Sequence, residues 1–140
     1  MRWVLIIHAG ATLMMTGLIW FVQVVHYPLM ARAGRDDFAR FEAAHTRRTT
    51  WVVAPLMLAE AATAAILALS PPPDVGRVAA GTGLGLLAVI WISTATLQVP
   101  MHQRLVAGFD ERAHRRLLTT NWIRTIAWTV RGVMALSWLV

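Results

Sequence analysis

Two charged side chains sit far inside apolar stretches of this sequence: Glu60 and Arg131 each lie about ten residues from either end of a hydrophobic run. At the helical rise of 1.5 Å per residue that is about 15 Å deep, the middle of a bilayer if these runs are membrane helices. An unpaired charge there costs at least ~2.5–3.5 kcal/mol, so Glu60 and Arg131 are expected to pair across two helices. Such a pair fixes helix register, or it handles a proton or a substrate; Glu60 and Arg131 are the candidate catalytic residues on the second reading.

The histidines form a second constellation. His26, His45, His102 and His114 all fall at the edges of apolar runs or in the connections between them. Neutral imidazole binds metals and haem iron, and a helix bundle gathers ligands from several helices. His26, His45 and His102 are therefore the candidate metal set, with a haem or a transition metal as the group they would hold and its identity unknown. Against this stands the common occurrence of His at interfaces, and the spacing matches no established ligand motif. Gln23, Tyr27, Gln98, Asn121 and Arg124 fall near the same face. They suit a pocket for a polar or anionic head group beneath an apolar body, such as a quinone, polyketide or porphyrin.

The elements that must position these residues follow from composition. The chain has 140 residues, 57% of them hydrophobic and only 14% charged. The charges bunch between apolar runs, as they do where a chain leaves lipid. One all-α transmembrane domain over residues 1–140 is expected, with spans at about 3–27, 49–70, 78–99 and 121–140. Pro28 follows the first span, and Pro71, Pro72 and Pro73 stop the second. Gly81, Gly83 and Gly85 suggest close helix approach in the third. The stretches 29–48 and 101–120 read as amphipathic connections, and an up-down-up-down four-helix bundle is the simplest assembly.

Both long connections then share one side and carry most of the arginines, whereas the other side offers only Arg2 and Arg77. The positive-inside rule places those connections in the cytoplasm and both termini outside. The net charge of +6 does not mark a nucleic-acid surface, because the basic residues border apolar spans and alternate with acids. The run from Trp3 to Val25 is too long for a signal-peptide core and lacks a small-residue cleavage site, so it is expected to remain as a span. Cysteine is absent, which excludes thiolate catalysis, disulfides and cysteine metal sites.

Projected at 100° per residue, each span offers one polar stripe. The stripes are His8, Thr12, Thr16, Gln23 and His26; His45, Thr49, Glu60 and Thr63, if the helix continues through Pro55; Thr94, Gln98 and His102, if it continues past Pro100; and Asn121, Arg124, Trp128 and Arg131. Lipid satisfies none of these groups, so the stripes should face one another. For the threonines, plain interhelical hydrogen bonding accounts for the pattern.

The segments GLIWFVQVVHYPLM, HTRRTTWVVAPLMLAE and LLTTNWIRTIAWTVRG resemble small four-span bacterial membrane proteins of the anthrone-oxygenase-like family. The likeness covers most of the chain and includes the first-span proline and the pattern of Asn121, Trp122 and Arg124 opening the last span. It implies a bacterial inner membrane location and oxygenation of aromatic polyketides without an evident metal. On that reading His26, His45 and His102 are acid–base or positioning groups. A second likeness, to the small haem-pathway membrane oxidase family, rests on His8 preceding Gly17 and Trp20; that family relies on a membrane lysine, and this chain has none.

The leading expectation is an integral membrane oxidoreductase or oxygenase that binds a lipophilic aromatic or quinone-like molecule between its helices. The contrasting one is a non-catalytic accessory subunit of a larger membrane complex; proton-coupled transport ranks third. Expected partners are membrane lipid, a lipophilic small molecule, and a second copy or a larger membrane complex, with no nucleic acid.

Overall fold

The computed structural model describes residues 1–34 and 36–140. The described residues are helical throughout, apart from short turns, and contain no strand. Helix α1 (Arg2–Phe21) runs through a π-helical segment (Val22–His26) into the short α2 (Tyr27–Met30). Helix α3 (Phe38–Leu69) follows; then α4 (Gly76–Ser93) runs through a second π segment (Thr94–Gln98) into α5 (Val99–Val106), and α6 (Glu111–Ser137) completes the chain.

Each π segment ends two residues before a proline, Pro28 or Pro100. Proline has no N–H and clashes with the carbonyl four residues back, and a wider turn just before it absorbs that conflict without breaking the rod. As a result the first and third rods stay continuous over Arg2–Met30 and Gly76–Val106. Helix α3 also continues, with Pro55 inside it. Its stop at Pro71–Pro73 leaves Ser70 as the cap, and Gly76 takes a φ of +72° in the turn that follows.

The connections are shorter than the sequence suggested. Most of 29–48 and 101–120 belongs to the ends of the long rods, and among the described residues the non-helical stretches there are 31–34, 36–37 and 107–110. Asp110 caps α6, its carboxylate accepting from the backbone N–H groups of Arg112 (2.8 Å) and Ala113 (3.1 Å). The Ala113 bond, followed by that of Arg112, holds this exposed carboxyl below the ordinary carboxylate range.

The rod containing α1 packs on α3 and α6, and α4 packs on the same two helices. The core between them holds Met15, Ile19, Met57, Ile90, Leu105, Leu117 and Trp128. Three rods, Arg2–Met30, Phe38–Leu69 and Gly76–Val106, are long and apolar enough to cross a membrane. Helix α6 falls short of that measure although it has 27 residues. It buries Asn121, Arg124, Thr125 and Arg131 while exposing Trp122, Ile126, Val133 and Leu136. Over residues 121–136 its polar groups thus face protein and its outer surface is apolar, the reverse of a soluble helix, whereas its first turns expose Glu111, Arg112, Arg115 and Arg116.

Of the three glycines expected to allow close helix approach, one does so. A Cβ on Gly83 would lie 2.9 Å from the Trp138 ring, whereas Gly81 and Gly85 have nothing within 4 Å.

Candidate functional site

Two polar clusters lie inside the helix assembly. In the first, Glu60 and Arg131 meet as expected, Arg131 Nε donating to Glu60 Oε1 at 2.9 Å with the side chains 0% and 2% exposed. Thr12 donates to the same oxygen at 3.0 Å, and the Trp128 indole N–H donates to Oε2 at 3.0 Å. Arg131 Nη1 donates to the Gly83 carbonyl and Nη2 lies 3.5 Å from His8 Nε2. The Thr63 hydroxyl donates to the Ala59 carbonyl, so it accepts from His8 Nδ1 at 2.9 Å; His8 is then the neutral tautomer that accepts from the guanidinium. Glu60 and Arg131, the expected catalytic pair, therefore form a charge-paired node that joins α1, α3, α4 and α6.

The second cluster brings together Gln23, Tyr27, Gln98, Asn121, Arg124 and His102, and adds Glu42. Glu42 Oε1 lies 2.5 Å from His102 Nδ1, and His102 Nε2 lies 3.0 Å from the Tyr27 hydroxyl. With the carboxylate accepting from Nδ1–H, Nε2 is left to accept from the tyrosine O–H. Arg124 Nη2 reaches the Tyr27 oxygen at 3.5 Å. Arg124 also donates to Asn121 Oδ1 through Nε (3.0 Å) and Nη2 (2.5 Å), while Asn121 Nδ2 donates to Gln23 Oε1 at 2.7 Å. Gln23 in turn donates to the Leu118 carbonyl at 3.3 Å. A carboxylate, an imidazole, a phenol and a guanidinium thus stand in series, held from behind by two amides.

This cluster borders a cavity of about 270 Å³. One side is apolar, with Met15, Ile19, Val22, Val53 and the Trp128 ring. The other presents Tyr27, His45, Thr94, Gln98, His102 and Arg124. Trp128 is the wall between the clusters, since its indole N–H serves Glu60 while its ring lines the cavity. A second cavity of about 260 Å³, between α1 and α3, shares Leu18, Val22, His45 and Thr49 with the first. Its rim includes the exposed Phe21 and Val52. Neither cavity is lined by Glu60 or Arg131.

Three buried side-chain atoms at this end lack a hydrogen-bond partner: Glu42 Oε2, Gln98 Oε1 and His26 Nε2. The orientation of the Gln98 amide is fixed by its neighbour. The Thr120 hydroxyl donates to the Arg116 carbonyl at 2.7 Å, so it can only accept from Gln98 Nε2 at 2.8 Å, and Oε1 is the unmatched atom.

His26, His45 and His102, the expected metal set, come together, with ring centres 4.3 Å apart for His26 and His45 and 5.6 Å apart for His45 and His102. Among the described residues no group of three His, Cys, Asp or Glu is disposed to hold a metal ion. His26 and His45 stack face to face, and both nitrogens of His102 already have partners. Convergent lone pairs are what a metal needs, and stacked rings do not supply them. His114 lies elsewhere, donating from Nε2 to the Tyr27 carbonyl at 2.8 Å and so bracing the backbone beside the phenol.

Glu42 is the residue that sequence reasoning missed. Its stretch looked like an interfacial connection, yet Phe38, Glu42, His45 and Thr49 follow helical spacing into the second span, and Phe38 and Glu42 are both 0% exposed. Extending the stripe of His45 and Thr49 one turn toward the N-terminus finds it.

No family model matches this chain, and no curated protein or solved structure matches it either.

Proposed function

We propose that this protein is an integral protein of the bacterial inner membrane, a four-helix up-down-up-down bundle that binds a lipophilic aromatic or quinone-like molecule in the larger cavity and acts on it as an oxidoreductase or oxygenase. In this reading α6 is the fourth span, which the apolar outer surface and polar inner face of α6 support. The arginine-rich connections lie in the cytoplasm and both termini outside. The smaller cavity is the route from the bilayer, because its lining includes the exposed Phe21 and Val52, with Arg48 beside them at the charged end, and it shares a wall with the larger one.

The observation that carries the reading is the series Glu42, His102, Tyr27 opening on an apolar cavity. A ligand hydroxyl beside Tyr27 passes its proton to the phenol oxygen as the phenol proton moves to His102 Nε2 and the Nδ1 proton moves to Glu42. The negative charge of Glu42 is thereby transferred to the ligand, next to the Arg124 guanidinium. An ionised aromatic ring is electron-rich, the form in which such a molecule reacts with dioxygen. The likeness to the anthrone-oxygenase-like family favours the same chemistry.

The test is oxygen consumption with an anthrone by the protein in lipid nanodiscs, with binding followed by quenching of Trp128 fluorescence against a Trp128→Phe control. Tyr27→Phe and His102→Asn should lower turnover by about 10²-fold or more while binding persists. Full turnover in both variants would end the relay, and no quenching by any aromatic probe would end the ligand-binding reading.

A further inference from the structure

Arg131 has a carboxylate and Arg124 has none. Among the described residues the ion pairs involve Asp37, Glu42, Glu60 and Glu111, and Arg124 joins none of them. Arg124 is nevertheless only 8% exposed. Its partners are an amide oxygen, two hydroxyl oxygens and nothing ionised. Thr94 donates its own proton to the Ile90 carbonyl, so it serves Arg124 Nη1 as an acceptor at 3.3 Å. Of the five N–H groups of a guanidinium these bonds use four, and one on Nη1 is left. A buried cation without a counter-charge is costly, and charged side chains inside a membrane protein ordinarily pair.

The unmatched acceptor lies close by along the chain. Gln98 is one turn beyond Thr94, which holds Arg124, and its Oε1 is buried without a donor while Gln98 itself is 1% exposed and lines the cavity. The wall therefore lacks two things at once: a negative charge opposite Arg124 and a hydrogen opposite Gln98. Water supplies the second but not the first.

We propose that the ligand is held as an oxyanion, an aromatic phenolate or enolate that either arrives ionised or is ionised in place through Tyr27, whose charged oxygen faces Arg124 while a neighbouring hydroxyl donates to Gln98 Oε1. This rests on the proposed ligand-binding reading and adds the charge and the donor pattern of the ligand. The ring lies against Met15, Val53 and Trp128, and a neutral quinone or a hydrocarbon satisfies neither polar group.

The test uses the full chain in nanodiscs of zwitterionic lipid, with hydroxynaphthoquinone, an anion at neutral pH, and its neutral methyl ether as paired probes. The anion should bind about ten- to a hundredfold tighter, and Arg124→Gln should remove that preference while leaving ether binding intact. Because the paired probes are compared in the unaltered protein, poor folding of the variant does not blunt the result. Equal binding of the two overturns the oxyanion while the ligand-binding reading stands; no binding of either overturns both. Displacement of the anion by added phosphatidylglycerol assigns Arg124 to a lipid phosphate and overturns the aromatic occupant.

Discussion

The two polar clusters are built from the same parts and end differently. Each has a buried glutamate, a buried arginine and a histidine, and Trp128 stands between them, its N–H on Glu60 and the residue itself in the cavity wall. Around Glu60 the donors come from α1 and α6 and the arginine lies directly on the carboxylate, so charge is cancelled at 2.9 Å. Around Glu42 the carboxylate and the guanidinium are separated by an imidazole and a phenol, and two acceptors are unmatched, Glu42 Oε2 behind the imidazole and Gln98 Oε1 in a residue of the cavity wall. A node whose two charges pair with each other fixes four helices relative to one another. A series whose guanidinium has no carboxylate beside it is the arrangement the proposed ligand site requires. The difference teaches that burial of charge alone does not single out the proposed site; what does is a buried charge with no counter-charge beside it.

Breaking the charge-paired node should have the largest effect. Glu60→Gln or Arg131→Met strands one charge among the helices and should cost about 3–5 kcal/mol, seen as a large drop in thermal stability in detergent; the double replacement should recover much of it. Single variants that melt like the parent would dissolve the contrast. Arg124→Met sharpens it from the other side. That change removes a cation with no counter-ion and loses only bonds to neutral groups, so the ligand-free protein should be less affected than by Arg131→Met by about 2 kcal/mol or more, while anionic probes stop binding.

Next in size is Gly83→Ala. Its new methyl meets Trp138, which stacks on His8 at 5.7 Å, so it should cost about 1–3 kcal/mol in the same melts, whereas Gly85→Ala should be neutral. The smallest effect lies outside both clusters, at the α6 cap. The Asp110 carboxyl is held below its unfolded range, so its contribution to stability is present above the unfolded pKa and is lost as pH falls through the folded one. Asp110→Ala should flatten the acid side of the stability profile and leave probe binding near neutrality unchanged.

Much of this was legible in the sequence for physical reasons that do not depend on detail. A carboxylate and a guanidinium at mid-depth in two apolar runs have to meet, and Glu60 and Arg131 do. The all-helical class follows from the same apolar runs. Other features were hidden. Averaged hydropathy has no direction, so α6, with Arg124 and Arg131 inside and Ile126 and Val133 outside, looks poorly suited to lipid until its faces are separated. Gly81 and Gly85 lie about 40° apart around the helix and Gly83 lies on the opposite side, so one of the three meets a neighbour. The histidines cluster at one end, but clustering says nothing of ring orientation, and the stacking of His26 on His45 is a product of packing. The π segments are marked in the sequence only by the prolines that follow them.

The contrast between the clusters is tested most directly by photolabelling the nanodisc-bound protein with a diazirine derivative of hydroxynaphthoquinone and locating the adducts by mass spectrometry. Adducts on the cavity wall, at Met15, Val53, His102 or Gln103, and none around His8, Thr63 or Gly83, are the expected result. Labels at the Glu60 node, or scattered over the outward apolar faces with no excess at the cavity, would contradict it.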